Sequence, residues 1–205
     1  MVSDGRLARG ERTRTALLDA AMEVIAAEGV AAATQRTVAT AAGASLASTT
    51  YHFGTRDELL AATMQHAAAI AVAQISRLSD DILEGRVSLV EGCLDYIDRQ
   101  RSGASGTGIV TFELAIAASR DERLRPHSLG FVESLRTVFA PFVSVAGGDL
   151  AIAQSFYGVL LMELAHGPDE RSPELANTVG AVFDAFGVTA AAEHYAATVS
   201  RAVAS

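Results

Sequence analysis

Three glycines, Gly29, Gly43 and Gly54, divide the first sixty residues into segments that only short, tightly turned helices can occupy. Ahead of Gly29, Leu17, Ala21, Val24 and Ile25 recur at the spacing of one helical face within Leu7–Glu28, and Gly29 supplies the stop. Thr34 stands where an N-cap belongs, before a short helix over Gln35–Ala42 that Gly43 ends. Ser45 caps a third segment reaching Phe53. Beyond Gly54, Thr55-Arg56-Asp57-Glu58 matches a capping box and opens a long helix. Its Leu60, Met64, Ala67, Ala71, Ile75, Leu78 and Ile82 advance by threes and fours as one apolar stripe toward Gly85.

The same punctuation continues. Ser88-Leu89-Val90-Glu91 is a second capping box, starting a helix to about Arg101, and Gly103–Gly108 is a loop. Further helices are expected at about 109–119, 122–142, 149–166, 173–186 and 190–203, separated by Gly147-Gly148, Gly167-Pro168, Ser172-Pro173 and Gly187. No alternating pattern bounded by hairpin turns marks a strand, and no tandem repeat is present. The chain reads as all-α, with about nine or ten helices.

With 50% hydrophobic and 20% charged residues in 205, there is enough apolar material for a packed core. No run of eighteen apolar residues lacks a charge, and Arg6, Arg9, Arg12 and Arg14 precede no apolar segment, so a soluble, cytoplasmic protein with no membrane partner is expected. The lone Cys93 excludes an intrachain disulfide and reads as a small buried side chain. All sixteen basic residues are Arg, and the net charge is −8. Residues 1–60 hold six Arg against seven acids, a balance of −1, which leaves −7 for residues 61–205. Because phosphates need only a local basic face, this balance does not exclude DNA. His66, His127, His166 and His194 lack the spacing of a metal site, so no metal is expected. No phosphate loop, nucleophile elbow or Cys/His pair suggests an enzyme, and no cofactor is implied.

Two short helices joined through Gly43-Ala44-Ser45 and braced by the helix before them make a tri-helical helix-turn-helix, whose second short helix can enter a major groove. Val38, Ala39 and Ala42 would face the core, and the start of the third helix would face outward. The run Thr34-Gln35-Arg36-Thr37-Val38-Ala39-Thr40-Ala41-Ala42-Gly43-Ala44-Ser45, followed by Ser48-Thr49-Thr50-Tyr51-His52-Phe53-Gly54-Thr55-Arg56-Asp57-Glu58-Leu59-Leu60, resembles the TetR family of bacterial regulators over roughly residues 11–60. The family often has Lys-Gly where this chain has Leu46-Ala47, and a Tyr where it has Thr50, with Tyr51 one step later.

The resemblance implies a helix-turn-helix DNA-binding domain over residues 1–60, with the motif at about 34–53, and a regulatory and dimerisation domain over 61–205. It implies that Thr34, Gln35 and Arg36 lie against the DNA backbone or groove edge and that Ser45, Leu46, Ala47, Ser48 and Thr50 line the recognition surface. Tyr51, His52 and Arg56 would be phosphate contacts. Ser45 and Thr34 can equally cap helices, Leu46 and Tyr51 can pack inward, and the Arg6–Arg14 arm reads either as a minor-groove contact or as a solvated tail.

For the second domain the resemblance implies a helical bundle with a ligand cavity, and a homodimer paired through its last long helices. The sequence offers two faces in 149–166 and 173–186: Ile152, Phe156, Val159, Leu160 and Glu163, and Leu175, Val179, Val182, Phe183 and Phe186. These stripes fit either a dimer interface or the core of one protomer. Tyr96, Phe112, Glu113, Phe131, Phe139, Phe156 and Met162 are candidate cavity residues, because pockets combine apolar walls with a few polar groups. The expected protein is a one-component regulator, a repressor released from palindromic double-stranded operator DNA by an unknown small-molecule effector. A second reading, a small-molecule binding protein that has lost DNA binding, draws on the missing Lys near position 46 and the acidic balance.

Overall fold

Helix forms wherever the apolar period runs, and it stops where the glycines and caps fall. A computed structural model describes residues 2–103, 107–143, 147–167 and 169–203. The middle of the Gly103–Gly108 loop, Pro168 and the side chain of Phe131 lie outside the described residues. The helices are α1 (Val2–Glu28), α2 (Gln35–Ala41), α3 (Leu46–His52), α4 (Arg56–Leu83) and α5 (Leu89–Arg101), then α6 (Gly108–Arg120), α7 (Arg125–Phe139), α8 (Gly148–Ala165), α9 (Leu175–Ala185) and α10 (Val188–Val203). Single 3-10 turns occupy Val30–Ala32 and Ala140–Phe142, and no strand occurs among the described residues. The Arg-bearing arm is helical, since α1 begins at Val2; its Arg, Leu, Ala and Glu favour helix enough to carry it through Gly10.

The chain forms two compact units that do not follow a single cut in the sequence: residues 1–69 with 109–128, and residues 70–108 with 129–205. In the first, Leu17, Ala21 and Ile25 of α1 are fully buried, as are Val38 of α2 and Leu59 of α4. The buried stripe of α4 continues through Met64, Ala67, Ala71, Ile75, Leu78 and Ile82. That stripe accounts for the apolar character of a helix long and hydrophobic enough to cross a membrane.

The second unit is built around aromatic rings. Phe156 lies 5.6 Å from Phe139, 6.2 Å from Tyr96 and 6.4 Å from Phe183, ring centroid to centroid, and all four residues are buried. Two amides and a hydroxyl inside it pair with one another: Gln100 Nε2 donates to Gln74 Oε1 at 3.0 Å, and Thr107 Oγ1 donates to Gln100 Oε1 at 2.8 Å. A Cβ at Gly108 would stand 2.9 Å from the Gln100 carbonyl oxygen, so glycine lets α6 begin against α5.

The stripes singled out on α8 and α9 face this interior. Ile152, Phe156, Leu160, Glu163, Leu175, Val179 and Phe183 are buried within one protomer, and Val159, Val182 and Phe186 are half-buried. Of the two fits left open by the sequence, these side chains take the protomer core. The buried Glu163 carboxylate accepts the Ser172 backbone N–H at 3.2 Å. The opposite side of α8 exposes Leu150, Leu161 and Met162.

Candidate nucleic-acid interface

The helix-turn-helix is fastened by short-range hydrogen bonds that its sequence supplies. Thr34 Oγ1 accepts the Thr37 N–H at 3.1 Å while the Thr34 N–H donates to Thr37 Oγ1 at 2.9 Å, a reciprocal capping box at the start of α2. Thr37 Oγ1 also lies 2.6 Å from the Ala32 carbonyl oxygen, to which it can donate, tying α2 to the 3-10 turn before it. At the other end Gly43 has φ +61°, the Ala44 N–H donates to the Ala39 carbonyl at 2.9 Å, and the Gly43 N–H donates to the Thr40 carbonyl at 3.1 Å. This is a Schellman closure, and a residue with a Cβ would be strained in its left-handed position. Ser45 Oγ accepts the Ser48 N–H at 3.0 Å and so caps α3.

Longer contacts fix the pair against its supports. Gln35 Nε2 donates to the carbonyl of Phe53, the C-cap of α3, so α2 and α3 are joined at the end remote from their turn. Arg56 Nε donates to the Ala33 carbonyl at 3.0 Å and its Nη2 to the Val30 carbonyl at 2.6 Å, pinning the first turn of α4 to the loop before α2. Buried Phe53 carries the Arg14 guanidinium 5.4 Å above its ring. Arg123 bridges Asp57 at 2.9 Å and Asp121 at 2.9 Å; its hydrogen bonds hold the Asp121 carboxyl below the usual carboxylate range. Gln35, Arg56 and Arg14 were singled out from the sequence only as candidate DNA contacts, and Arg123 not at all, because no local pattern announces the contacts that Gln35, Arg56, Arg14 and the Arg123–Asp57 pair make across eighteen or more residues.

What remains outward is a compact polar face. Arg36 and Thr40, one turn apart on α2, are exposed, as are Ser45, Leu46, Ala47, Thr50 and Tyr51 around α3. Tyr51 is 85% exposed, with its ring edge-on to half-buried His52 at 5.2 Å. Thr34, Gln35, Ser48 and Arg56 are half-buried, and Thr49 is fully buried beneath α3. Residues 29–56 contain no Asp or Glu, so the face carries Arg36 without an acid of its own segment to oppose it. Thr40 was legible as the i+4 neighbour of Arg36 but was passed over.

The other candidates divide. Tyr96, Phe139 and Phe156 come together in the aromatic core, whereas Met162 is 60% exposed on α8 and apart from them. Phe112, buried, and Glu113 belong to the first unit. There Glu113 lines a cleft of about 460 Å³ with Arg56, Leu60 and Arg120.

An acid-free, solvent-facing short helix set by a glycine turn on a braced partner is the construction of a helix-turn-helix DNA-binding regulator. The family profile "Bacterial regulatory proteins, tetR family" matches residues 17–63, which contain the whole motif. Among solved structures, the multidrug binding protein EbrR in complex with imidazole is 25% identical with a TM-score of 0.65, covering 82% of this chain and 93% of its own. A TetR-family member from Streptomyces coelicolor A3, SCO1917, shares the fold at 24% identity and a TM-score of 0.68, with 83% and 97% of the two chains covered. A second regulator from Streptomyces coelicolor A3(2), SCO7518, aligns at 23% identity and a TM-score of 0.66, over 85% of this chain and 98% of that one. No curated protein matches the chain. Residues 17–63 therefore match the TetR family of bacterial regulatory proteins, and the chain as a whole shares the fold of a TetR-family structure.

Proposed function

We propose that the protein is a cytoplasmic, non-enzymatic repressor that binds a palindromic operator as a homodimer and leaves it when a small-molecule effector binds. Residues 1–60 carry the DNA contacts and residues 61–205 carry regulation and dimerisation. The observation that carries this reading is the exposed, acid-free face of α3 and the start of α2. Arg36 presents a guanidinium that can bridge a phosphate or take a guanine edge with two hydrogen bonds. Ser45, Leu46, Ala47, Ser48 and Thr50 meet base edges and thymine methyls, while Tyr51 and His52 contact phosphates and set register. Thr34, Gln35 and Arg56 support that surface by the hydrogen bonds that hold α2, α3 and α4 together.

Dimerisation runs through α8 and α9, and the exposed Leu150, Leu161 and Met162 give it an apolar face that the protomer core does not use. The effector acts by binding unequally to two dimer shapes, one of which sets the two α3 helices about 34–36 Å apart, one turn of DNA. EbrR, a multidrug binding protein with structures holding imidazole, proflavin and ethidium, supports a small organic effector here as well. In the same unit as Tyr96, Phe139 and Phe156, such a molecule would have to part packed rings.

Operator selection from a random duplex pool tests this. Enrichment of a palindrome whose affinity falls steeply with salt is expected. If no duplex is retained in a salt-sensitive way, the protein is instead a small-molecule binder without DNA.

A further inference from the structure

The arginines at the start of α1 stand outside the face made by α2 and α3, and they are not part of the core. Leu17 is the first buried residue among the described positions of α1, and every residue from Ala8 to Ala16 is exposed or half-buried. Counted back from Leu17 to Arg9, more than two turns of helix, about 12 Å, project beyond the packed part of the domain. Helix of that length without packing is marginal in water, so a partner along its side would add order as well as contact. Arg14 fixes where the projection begins. Its guanidinium stands over the ring of Phe53, the C-cap of α3, whose carbonyl accepts from Gln35 at the start of α2. The projection therefore leaves the domain where α3 ends and α2 begins, next to exposed Tyr51 and Arg36.

Its charge is arranged on one side. Arg9 and Arg12 are both exposed and lie three positions apart, neighbours on the helix surface with Cβ atoms about 5–6 Å from each other. Glu11 is the only acid between Gly5 and Leu18. At 3.6 residues per turn it is rotated about 160° from Arg9 and about 100° from Arg12. Asp19, two turns further along the arginine side, is engaged by His66 at 2.8 Å. A helix about 10–12 Å across does not fit a minor groove about 6 Å wide, which an extended arm could thread. It can lie along a sugar-phosphate ridge, where each guanidinium takes two phosphate oxygens.

We infer that the first turns of α1 dock as a helix along one DNA strand, with Arg9 and Arg12 on its phosphates, outside the bases that α3 reads. Phosphates are the same along every sequence, so this contact raises affinity for any duplex and adds no selectivity. The inference rests on the DNA-binding reading and goes beyond it by assigning a backbone contact away from α2 and α3.

The test measures the full chain across a salt series, on a random-sequence duplex pool and on the palindrome selected from it. Arg9→Ala with Arg12→Ala should weaken both by the same factor, at least about tenfold at low salt. The slope of log affinity against log salt should fall by about 0.9 per arginine in each protomer. Arg9→Lys with Arg12→Lys keeps the charge and should restore the slope. Melting temperature and helicity should not change, because neither side chain is buried. Should the alanine variant melt early, Arg9→Gln with Arg12→Gln, which keeps length and helix propensity, takes its place. Hydroxyl-radical cleavage should show backbone protection beyond the bases α3 reads, lost in the neutral variant. An unchanged slope in that variant, with wild type bound to the palindrome, overturns this inference alone. A wild type that holds no duplex overturns it together with the DNA-binding reading. Release from phosphatidylglycerol vesicles by the same substitutions, at unchanged duplex affinity, would assign the arginines to a membrane surface and overturn it as well.

Discussion

Two arginines in one short stretch do different work, and their hydrogen bonds separate them. Arg36 is exposed on α2, while Arg56 is half-buried with its guanidinium on the carbonyls of Val30 and Ala33. Arg36→Ala is therefore expected to weaken operator binding by about 1–3 kcal/mol and to leave thermal unfolding unchanged. Arg56→Ala removes charged donors from two carbonyls, so unfolding stability should fall by about 1.5–3 kcal/mol and DNA affinity should fall with it. Gel-shift titration beside calorimetric melting distinguishes the two; matching stability losses would refute the division of labour. Cys93 offers a simpler check. It is 1% exposed, and burial pushes its thiol well above the usual range, so the reactive thiolate is suppressed. An aromatic disulfide reagent should label it only at the rate of unfolding, and prompt labelling of the folded protein would show an opening that the packing does not contain.

At the scale of elements, the recognition unit depends on one left-handed residue. Gly43→Ala keeps the sequence of both short helices but places a Cβ at φ +61°. It should cost about 1–2 kcal/mol of stability and reduce operator affinity by misaligning α3. Unchanged melting and affinity would mean the turn is not under that constraint. This turn, like the Thr34, Ser45 and Ser88 caps, was legible in the sequence because each depends on residues within three or four positions. The support of the recognition face was not. Gln35 reaches Phe53 and Arg56 reaches Val30 across the fold, and periodicity carries no trace of such partners. The α8 and α9 stripes show the same boundary. Their spacing announced burial correctly, but burial in the same protomer and burial against a second copy leave identical patterns; only the packed structure distinguishes Phe156, inside, from Met162, outside.

For the whole molecule, the proposed reading of a palindromic operator calls for two copies, and the exposed side of α8 is where they are expected to meet. Leu150, Leu161 and Met162 fall at i, i+11 and i+12, along one side of the helix, with Gly158 and Ala165 between and beyond them. Their exposure leaves apolar surface in water that a two-fold partner would cover, and the small residues allow the helices to approach. A monomer would hold a single half-site, whereas a dimer gains from the high effective concentration of its second reading head. Leu161→Glu combined with Met162→Glu places like charges opposite one another across such an axis without touching the protomer core. Light scattering should then report a monomer with native helicity, and affinity for the full palindrome should fall by about 10²–10⁴, while affinity for an isolated half-site stays the same. A variant that remains dimeric would move the interface elsewhere. A monomeric variant with full affinity for the palindrome would show that one copy suffices, and the paired-helix account of operator reading would be lost.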